Sequence, residues 1–313
     1  MTVTEIGGCL PLEKGAFPFY HGQNAVLTNT GRNALRLFVR TRKIEKVFVP
    51  AFTCPVVPQA LRAENADVVL YDLNEDFTPA VVFPKNAYVL YNNWFGVCGK
   101  KVRALSFEKL IVDAAQAFYA GPRSEATVYS PRKFFGVPDG GALVCSPLPD
   151  APLSRDFSYD RAQHLLTAAD LGSDKAYDSF AEDEDALNGL PVLKMSRLTE
   201  TALSAVDYAA VRRRRLKNFA FLHGALGREN GLVLDPADDD VPMVYPFLTS
   251  DPLKLRTKLL KAGIDTAVYW EGTEEQTENA PVSRHLCRDV VPLPLDQRYG
   301  AAEMERIARA VLS

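Results

Sequence analysis

Three short segments of the chain carry residue types that could act together on one ligand. In LTNTGRNALRL (27–37), Thr30 and Gly31 stand just ahead of a helical pattern, followed by Arg32 and Asn33. The free backbone N–H groups and positive end of such a helix favour an anion, although a glycine before a helix is also common without a ligand. In LIVDAAQAF (110–118), Asp113 falls at the carboxyl end of an apolar strand, where ligands sit in open α/β sheets. A carboxylate there can hold a cationic ring nitrogen or a metal, or simply cap a helix, and Gln116 adds an amide at the same edge. In SPRKFFGVPDGG (130–141), Ser130 and Lys133 follow the strand-like ATVYS, beside Phe134 and Phe135. An amine that emerges among aromatic rings is desolvated, which suits a nucleophile. The Ser130 hydroxyl can donate to a phosphate, and Pro138-Asp139-Gly140-Gly141 turns the chain back into GALVCS.

Their order along the chain has a chemical meaning. An anion seat, then an acidic strand end, then a lysine before a double glycine are the parts that pyridoxal phosphate (PLP) requires. Its phosphate needs an anchor, its ring nitrogen a carboxylate that keeps it protonated, and its aldehyde an amine.

The elements that must position these groups are legible in the pattern. GRNALRLFVRTR (31–42) places Ala34, Leu35 and Phe38 at helical spacing. KVFVP (46–50), DVVLYD (67–72), AYVLYNN (87–93), LIVDAAQ (110–116), ATVYS (126–130) and GALVCS (141–146) read as strands, and residues 55–65 as a helix opening on proline. Apolar strands alternating with helices predict an α/β fold with a mostly parallel, mixed sheet between helices. From about Pro147 the composition turns small and acidic, and AEDEDALNGLP reads as an exposed connection. A long helical pattern spans Leu198 to Leu226. MVYPFLTS (243–250), the helix-like DPLKLRTKLLKAG (251–263), IDTAVYW (264–270), VVPLPL and the closing AAEMERIARAVLS predict a smaller C-terminal α/β domain of strand–helix–strand–helix order. The expected division is a cofactor-binding large domain over 1–190, then a linking helix and small domain over 191–313.

Bulk properties narrow the classes of function. The 313 residues are 47% hydrophobic and 24% charged, as in a globular protein rather than a disordered one. A net charge of −3 offers no field for nucleic acid or an anionic membrane, and Arg212–Arg215, the one basic cluster, reads as a solvated helix face. No apolar run is long enough to span a bilayer, and Glu5 stands where a signal peptide would be basic. Cys9, Cys54, Cys98, Cys145 and Cys287 are odd in number and form no CxxC pair, which suits reduced thiols in a cytoplasm, and no histidine stands at metal-ligand spacing, so no metal is expected.

The ordered motifs resemble those of the DegT/DnrJ/EryC1/StrS aminotransferases, PLP-dependent sugar aminotransferases of fold type I. TGRNAL is similar to that family's SGTAAL, FVPAFTCPVVPQAL to VPSFTFVATANAV, VLYDL to PVFVDV, NNWFGVCG to VHLYGQP, VDAAQAF to EDAAQAH, and SPRKFFGVPDGG to SFHPTKNLTTGEGG. VVPLPLDQRYGAAEMERIARAVL resembles the LPLHP motif and last helix, so nearly the whole chain is covered. The resemblance implies a Schiff-base role for Lys133, the ring-nitrogen contact for Asp113, a second polar contact to the cofactor from Gln116, and a phosphate-binding helix start at Gly31, Arg32 and Asn33. Cys54 stands where the family stacks an aromatic ring, so Trp94 or Phe95 is a candidate replacement. Val128 stands where the family has a serine, a part that Ser130 could take, and Asn93 replaces a histidine. VLKMSR blurs the segment by which a partner subunit reaches the phosphate, leaving Lys194 or Arg197 as substitutes. Trp94, Tyr269 and Trp270 are aromatic candidates for a sugar face.

The activity implied is amino transfer from an amino acid, glutamate as the expected donor, to a keto sugar, nucleotide-linked, in making a surface polysaccharide such as lipopolysaccharide or a secondary metabolite. Sites of this fold usually form between two subunits, so a homodimer is expected. Two other readings remain: a catalytically idle relative with a binding role, and a PLP-dependent sugar dehydration, against which Lys133 speaks because such dehydratases carry histidine there.

Overall fold

The computed structural model describes residues 10–22, 24–123 and 125–313, so that Glu5 and Cys9 lie outside the described residues. Strand β1 (Val26–Thr28) leads into helix α1 (Gly31–Arg42), which begins where the Thr30 side chain accepts the Asn33 N–H at 3.1 Å. Strand β2 (Lys46–Pro50), helix α2 (Val56–Arg62), strand β3 (Asp67–Tyr71) and strand β4 (Tyr88–Asn92) follow. Helix α3 (Gly99–Ala104), strands β5 (Lys109–Asp113), β6 (Ala126–Tyr129) and β7 (Gly141–Cys145) complete one sheet. Its order is β1-β7-β6-β5-β4-β2-β3. β3, β2, β4, β5 and β6 run parallel, and β7 is antiparallel to both of its neighbours. Each strand expected from the sequence in this half is present, as is the mixed sheet.

The two faces of the sheet are sorted by the strand period of two. Leu90, Ile111 and Val128 join α1 and α2 in one core cluster. Val89, Tyr91, Leu110 and Val112 point the other way, into a larger cluster shared with Leu222, Leu226 and Leu293 of the C-terminal third.

Beyond β7 the structure departs from the sequence reading in three places. The acidic stretch is helical: α4 (Gln163–Leu171) and α5 (Tyr177–Asp185) form an antiparallel pair rather than a connection. The buried carboxylate of Asp183 holds it, facing the His164 ring nitrogen at 2.5 Å and accepting the His164 backbone N–H at 3.2 Å. The expected long helix is broken into α6 (Arg197–Ser204) and α7 (Tyr208–Leu226), because the Asp207 side chain accepts the Ala210 N–H and starts a new helix. Strand β8 (Val244–Leu248) and helix α8 (Pro252–Lys261) form as expected, but 264–270 is not a strand. Its place beside β8 is taken by β9 (Val290–Pro294), reached through helix α9 (Pro281–Asp289), and α10 (Ala301–Leu312) closes the chain. Residues 264–270 instead carry Trp270 to the large sheet, its ring centroid 5.2 Å from that of Phe52.

Candidate active site

Strand register brings the chemistry to one sheet edge. Asn92 is paired with Asp113 across β4 and β5, and Asp113 with Val128 across β5 and β6. Asn92, Asp113 and Ser130 each stand two residues beyond Leu90, Ile111 and Val128, so they share the face that carries α1. There a cleft of about 230 Å³ opens, and Gly31, Arg32, Cys54, Asp113, Ser130 and Lys133 all line it. A small second pocket, lined by Asn92, Gln116 and Trp270, adjoins it and shares Cys54, Asp113 and Lys133 with it.

The double glycine has a function that its turn chemistry did not reveal. Gly140 has φ +126°, and its N–H donates to Asn29 O at 2.5 Å. A Cβ on Gly141 would meet the Thr30 carbonyl at 2.3 Å and the Gly31 nitrogen at 2.6 Å. The two glycines let the lysine segment and the start of α1 meet backbone to backbone. A Cβ on Gly31 would in turn stand 3.3 Å from the Ser130 Cβ. The start of α1 and the lysine segment therefore share one floor.

Lys133 ends the one-turn 3-10 segment Pro131–Lys133 and is exposed, which corrects the expected aromatic setting. Phe134 and Phe135 turn inward instead, against Phe118, Tyr119 and Tyr208, and anchor the loop from beneath. A guanidinium lies 4.4 Å from the Phe134 ring centroid, and it belongs to Arg215 of the run read as a solvated face. Arg215 is 2% exposed, and burial lowers its pKa. It donates to Met243 O at 2.9 Å and to Gln297 Oε1 at 2.9 Å, while Gln297 Nε2 donates to Phe134 O at 2.7 Å. The turn that carries Lys133 is thus tied to the C-terminal third.

Burial raises the Asp113 carboxyl above its ordinary pKa, opposed by the Ala115 N–H it accepts at 2.8 Å and by the charge of Lys133. A cationic partner would offset the cost of ionising it there. Gln116 is 5% exposed, and its Oε1 accepts the N–H of Phe95, which holds φ +58°. Gln116 Nε2 and Asn92 Oδ1 are buried and meet no hydrogen-bond partner among the described residues. A buried donor and a buried acceptor left over beside a carboxylate, an amine and a helix start fit a polar group that carries an anion.

Several expected contacts fall elsewhere. The Asn33 side chain donates to Asn29 Oδ1 at 2.9 Å and Pro191 O at 2.8 Å, and its backbone N–H is taken by Thr30, so Asn33 builds the helix start from behind. Trp94 and Phe95 are fully buried, Trp94 donating its indole N–H to Phe52 O at 2.8 Å, so neither covers the cleft. Tyr269 packs against Phe95 and Trp270, and burial raises its pKa to about 12. Lys194 bridges in backbone pairing with Thr28 and Arg155.

Other residues of the site went unnoticed in the sequence. Arg132 and Glu184 line the cleft and pair with each other. Gln276 Nε2 donates to Ala51 O at 2.7 Å and Thr53 O at 2.8 Å, holding the turn that presents Cys54. The adjacency of Arg132 to Lys133 was a signal; for Gln276, more than 200 residues from its partners, there was none.

No family model and no curated protein matches the sequence. Among solved structures, a DegT DnrJ EryC1 StrS aminotransferase from Brucella abortus is 19% identical with a TM-score of 0.63, covering 92% of this chain and 85% of that one. The sugar aminotransferase CalS13 from Micromonospora echinospora is 16% identical with a TM-score of 0.62, over 92% of this chain and 86% of that one. DesV from S. venezuelae, solved in complex with a ketimine intermediate, is 22% identical with a TM-score of 0.62, over 92% and 83%. Across nine-tenths of its length, the chain has the fold of the DegT DnrJ EryC1 StrS sugar aminotransferases.

Proposed function

We propose that the protein is a PLP-dependent aminotransferase that moves an amino group from an amino acid, glutamate as the preferred donor, to a nucleotide-linked keto sugar. The observation that carries this reading is the convergence of Lys133, Asp113 and the start of α1 on one cleft, with Gln116 in the small pocket that adjoins it at Asp113 and Lys133. The likeness to sugar aminotransferases adds support at the level of fold, and Spr1654 from Streptococcus pneumoniae, of the same fold at a TM-score of 0.65, has been solved in a PLP form.

When bound, PLP supplies an aldehyde carbon and a ring that takes up an electron pair. In this proposal Gly31 and Arg32 hold the phosphate with the N–H groups opening α1, and the Ser130 hydroxyl donates to it. Asp113 keeps the ring nitrogen protonated. Gln116 Nε2–H is a spare donor for a polar group of the cofactor, and Cys54, which lines the cleft, would lie against the cofactor through its polarisable sulfur. Lys133 Nζ would be the amine that takes up the cofactor's aldehyde with loss of water, and as a free amine it would hold and move a proton. Trp270 offers an apolar wall to the sugar. The same proposal divides the chain into a cofactor domain over 1–190 and a small domain over 191–313.

A homodimer in the cytoplasm, serving surface polysaccharide or secondary-metabolite synthesis, belongs to this proposal. Exposed Phe157, Tyr159, Leu166, Leu171, Tyr177 and Phe180 favour self-association through the segment carrying α4 and α5. The test is spectroscopic: the purified chain given PLP should acquire a visible absorbance band that Lys133→Ala removes. It should then turn over a keto sugar nucleotide with glutamate. A chain that takes up no PLP overturns the proposal.

A further inference from the structure

Arg132 directly precedes Lys133 on the 3-10 segment, and its side chain lines the same cleft. We propose that the Arg132 guanidinium is the seat for a carboxylate of the amino donor, and that Glu184 of α5 stands in for that carboxylate until the donor arrives. The inference rests on reading the cleft as a transaminase site and assigns the recognition of one of its substrates.

The hydrogen bonding of Arg132 is half complete. Its Nη2 donates to Glu184 Oε1, whereas its buried Nε has no hydrogen-bond partner among the described residues. Nε–H and Nη2–H point from one edge of the guanidinium plane, at the spacing of the two oxygens of a carboxylate. Glu184 uses one tooth of that fork. An incoming carboxylate can use both.

Glu184 can leave at small cost. Its side chain is 36% exposed, and an ion pair with water access to one partner contributes little. The helix need not move with it. The neighbouring Asp183 is locked to His164, and Asn188 Oδ1 accepts from Arg32 Nη1 at 2.5 Å, so a change of rotamer at Glu184 suffices to free the fork. With Glu184 turned out, Arg32, Arg132 and Lys133 face Asp113 alone in the cleft, and that imbalance favours an anion.

Two features select a carboxylate over a phosphate. The group that occupies the fork is itself a planar carboxylate, and the start of α1 with Ser130 already offers a separate phosphate seat. Position selects an amino acid. A donor whose amine meets the cofactor at Lys133 carries its carboxylate one carbon away, and Arg132 lines the same cleft as Lys133.

Glutarate, a dicarboxylate without an amine, is the probe, its binding to the purified full-length chain measured by calorimetry with and without PLP. Glu184→Gln, which removes the competing carboxylate, should bind glutarate about tenfold tighter than the unaltered chain, and Arg132→Lys, which keeps the charge but loses the fork, about tenfold weaker. Equal glutarate affinity in all three proteins overturns the proposal. It is also overturned if inorganic phosphate, rather than glutarate, is the anion whose affinity rises in Glu184→Gln. If the three proteins follow the expected order but none takes up PLP, the transaminase reading fails and the carboxylate seat stands. PLP uptake without that order sinks the seat alone.

Discussion

The backbone of Gly141 lies so close to that of Thr30 that no side chain fits between them, a Cβ on Gly141 falling 2.3 Å from the Thr30 carbonyl. This contact joins the first residue of β7 to the residue that caps α1. It couples the lysine segment to the start of α1 without any side chain taking part. Gly141→Ala should therefore cost about 1–3 kcal/mol, as overpacking does in a tight interior. It should also weaken cofactor retention more than a surface substitution of equal cost. Urea denaturation with PLP titration checks both, and an unchanged midpoint would contradict the close approach.

Asp113→Asn separates stability from function. The folded-state pKa of Asp113 is raised, so the native chain binds its proton more tightly than the unfolded chain does. The cost of ionising it in place appears as pH rises above the unfolded value of about 3.9 and through the raised folded value, and persists at neutral pH. The cofactor-free Asn variant should then be more stable than the unaltered chain at pH 7, with the gain shrinking as pH falls towards 4. PLP affinity should drop in the same variant. Thermal melts across pH, with and without PLP, read both effects, and a loss of apo stability would refute the sign.

Arg215→Met keeps an unbranched apolar stem but removes the guanidinium that binds Met243 O, Gln297 and the Phe134 face. Leaving buried carbonyls unpaired should cost about 1–3 kcal/mol. Because Gln297 then loses its partner while holding Phe134 O, the lysine turn should loosen, and trypsin should cleave near Arg132–Lys133 faster than in the parent. Unaltered proteolysis at that turn would show that Arg215 supports only the C-terminal third.

Gln276→Ala removes two donors from the carbonyls of Ala51 and Thr53. We expect a stability loss of about 1–2 kcal/mol and a several-fold weaker hold on PLP, since Cys54 follows Thr53 directly. Fluorescence titration with PLP checks it, and full affinity in the variant would show that the turn keeps its shape unaided.

What the sequence determined by itself is what local pattern can encode. The strands of the large sheet, α1 with its Thr30 cap, and the closing helix were legible because apolar periodicity and capping act over a few residues. The shared location of Asp113, which ends β5, and of Gln116, Ser130 and Lys133, which follow strands, was legible because parallel strands deliver their carboxyl ends to one edge. Their roles belong to the proposal. The tertiary structure alone decided which way a side chain faced once it left a strand. Phe134 and Phe135 looked like the surroundings of Lys133, yet they point into the core and leave the amine exposed. Arg215 looked solvated among four arginines, but its place in the turn of α7 buries it under Phe134. The acidic run hid Glu184 at the cleft, because a charged sequence reads as solvent-facing until a partner such as Arg132 comes from 52 residues away. Such pairings depend on the packing of distant elements, for which a single sequence carries no local signal.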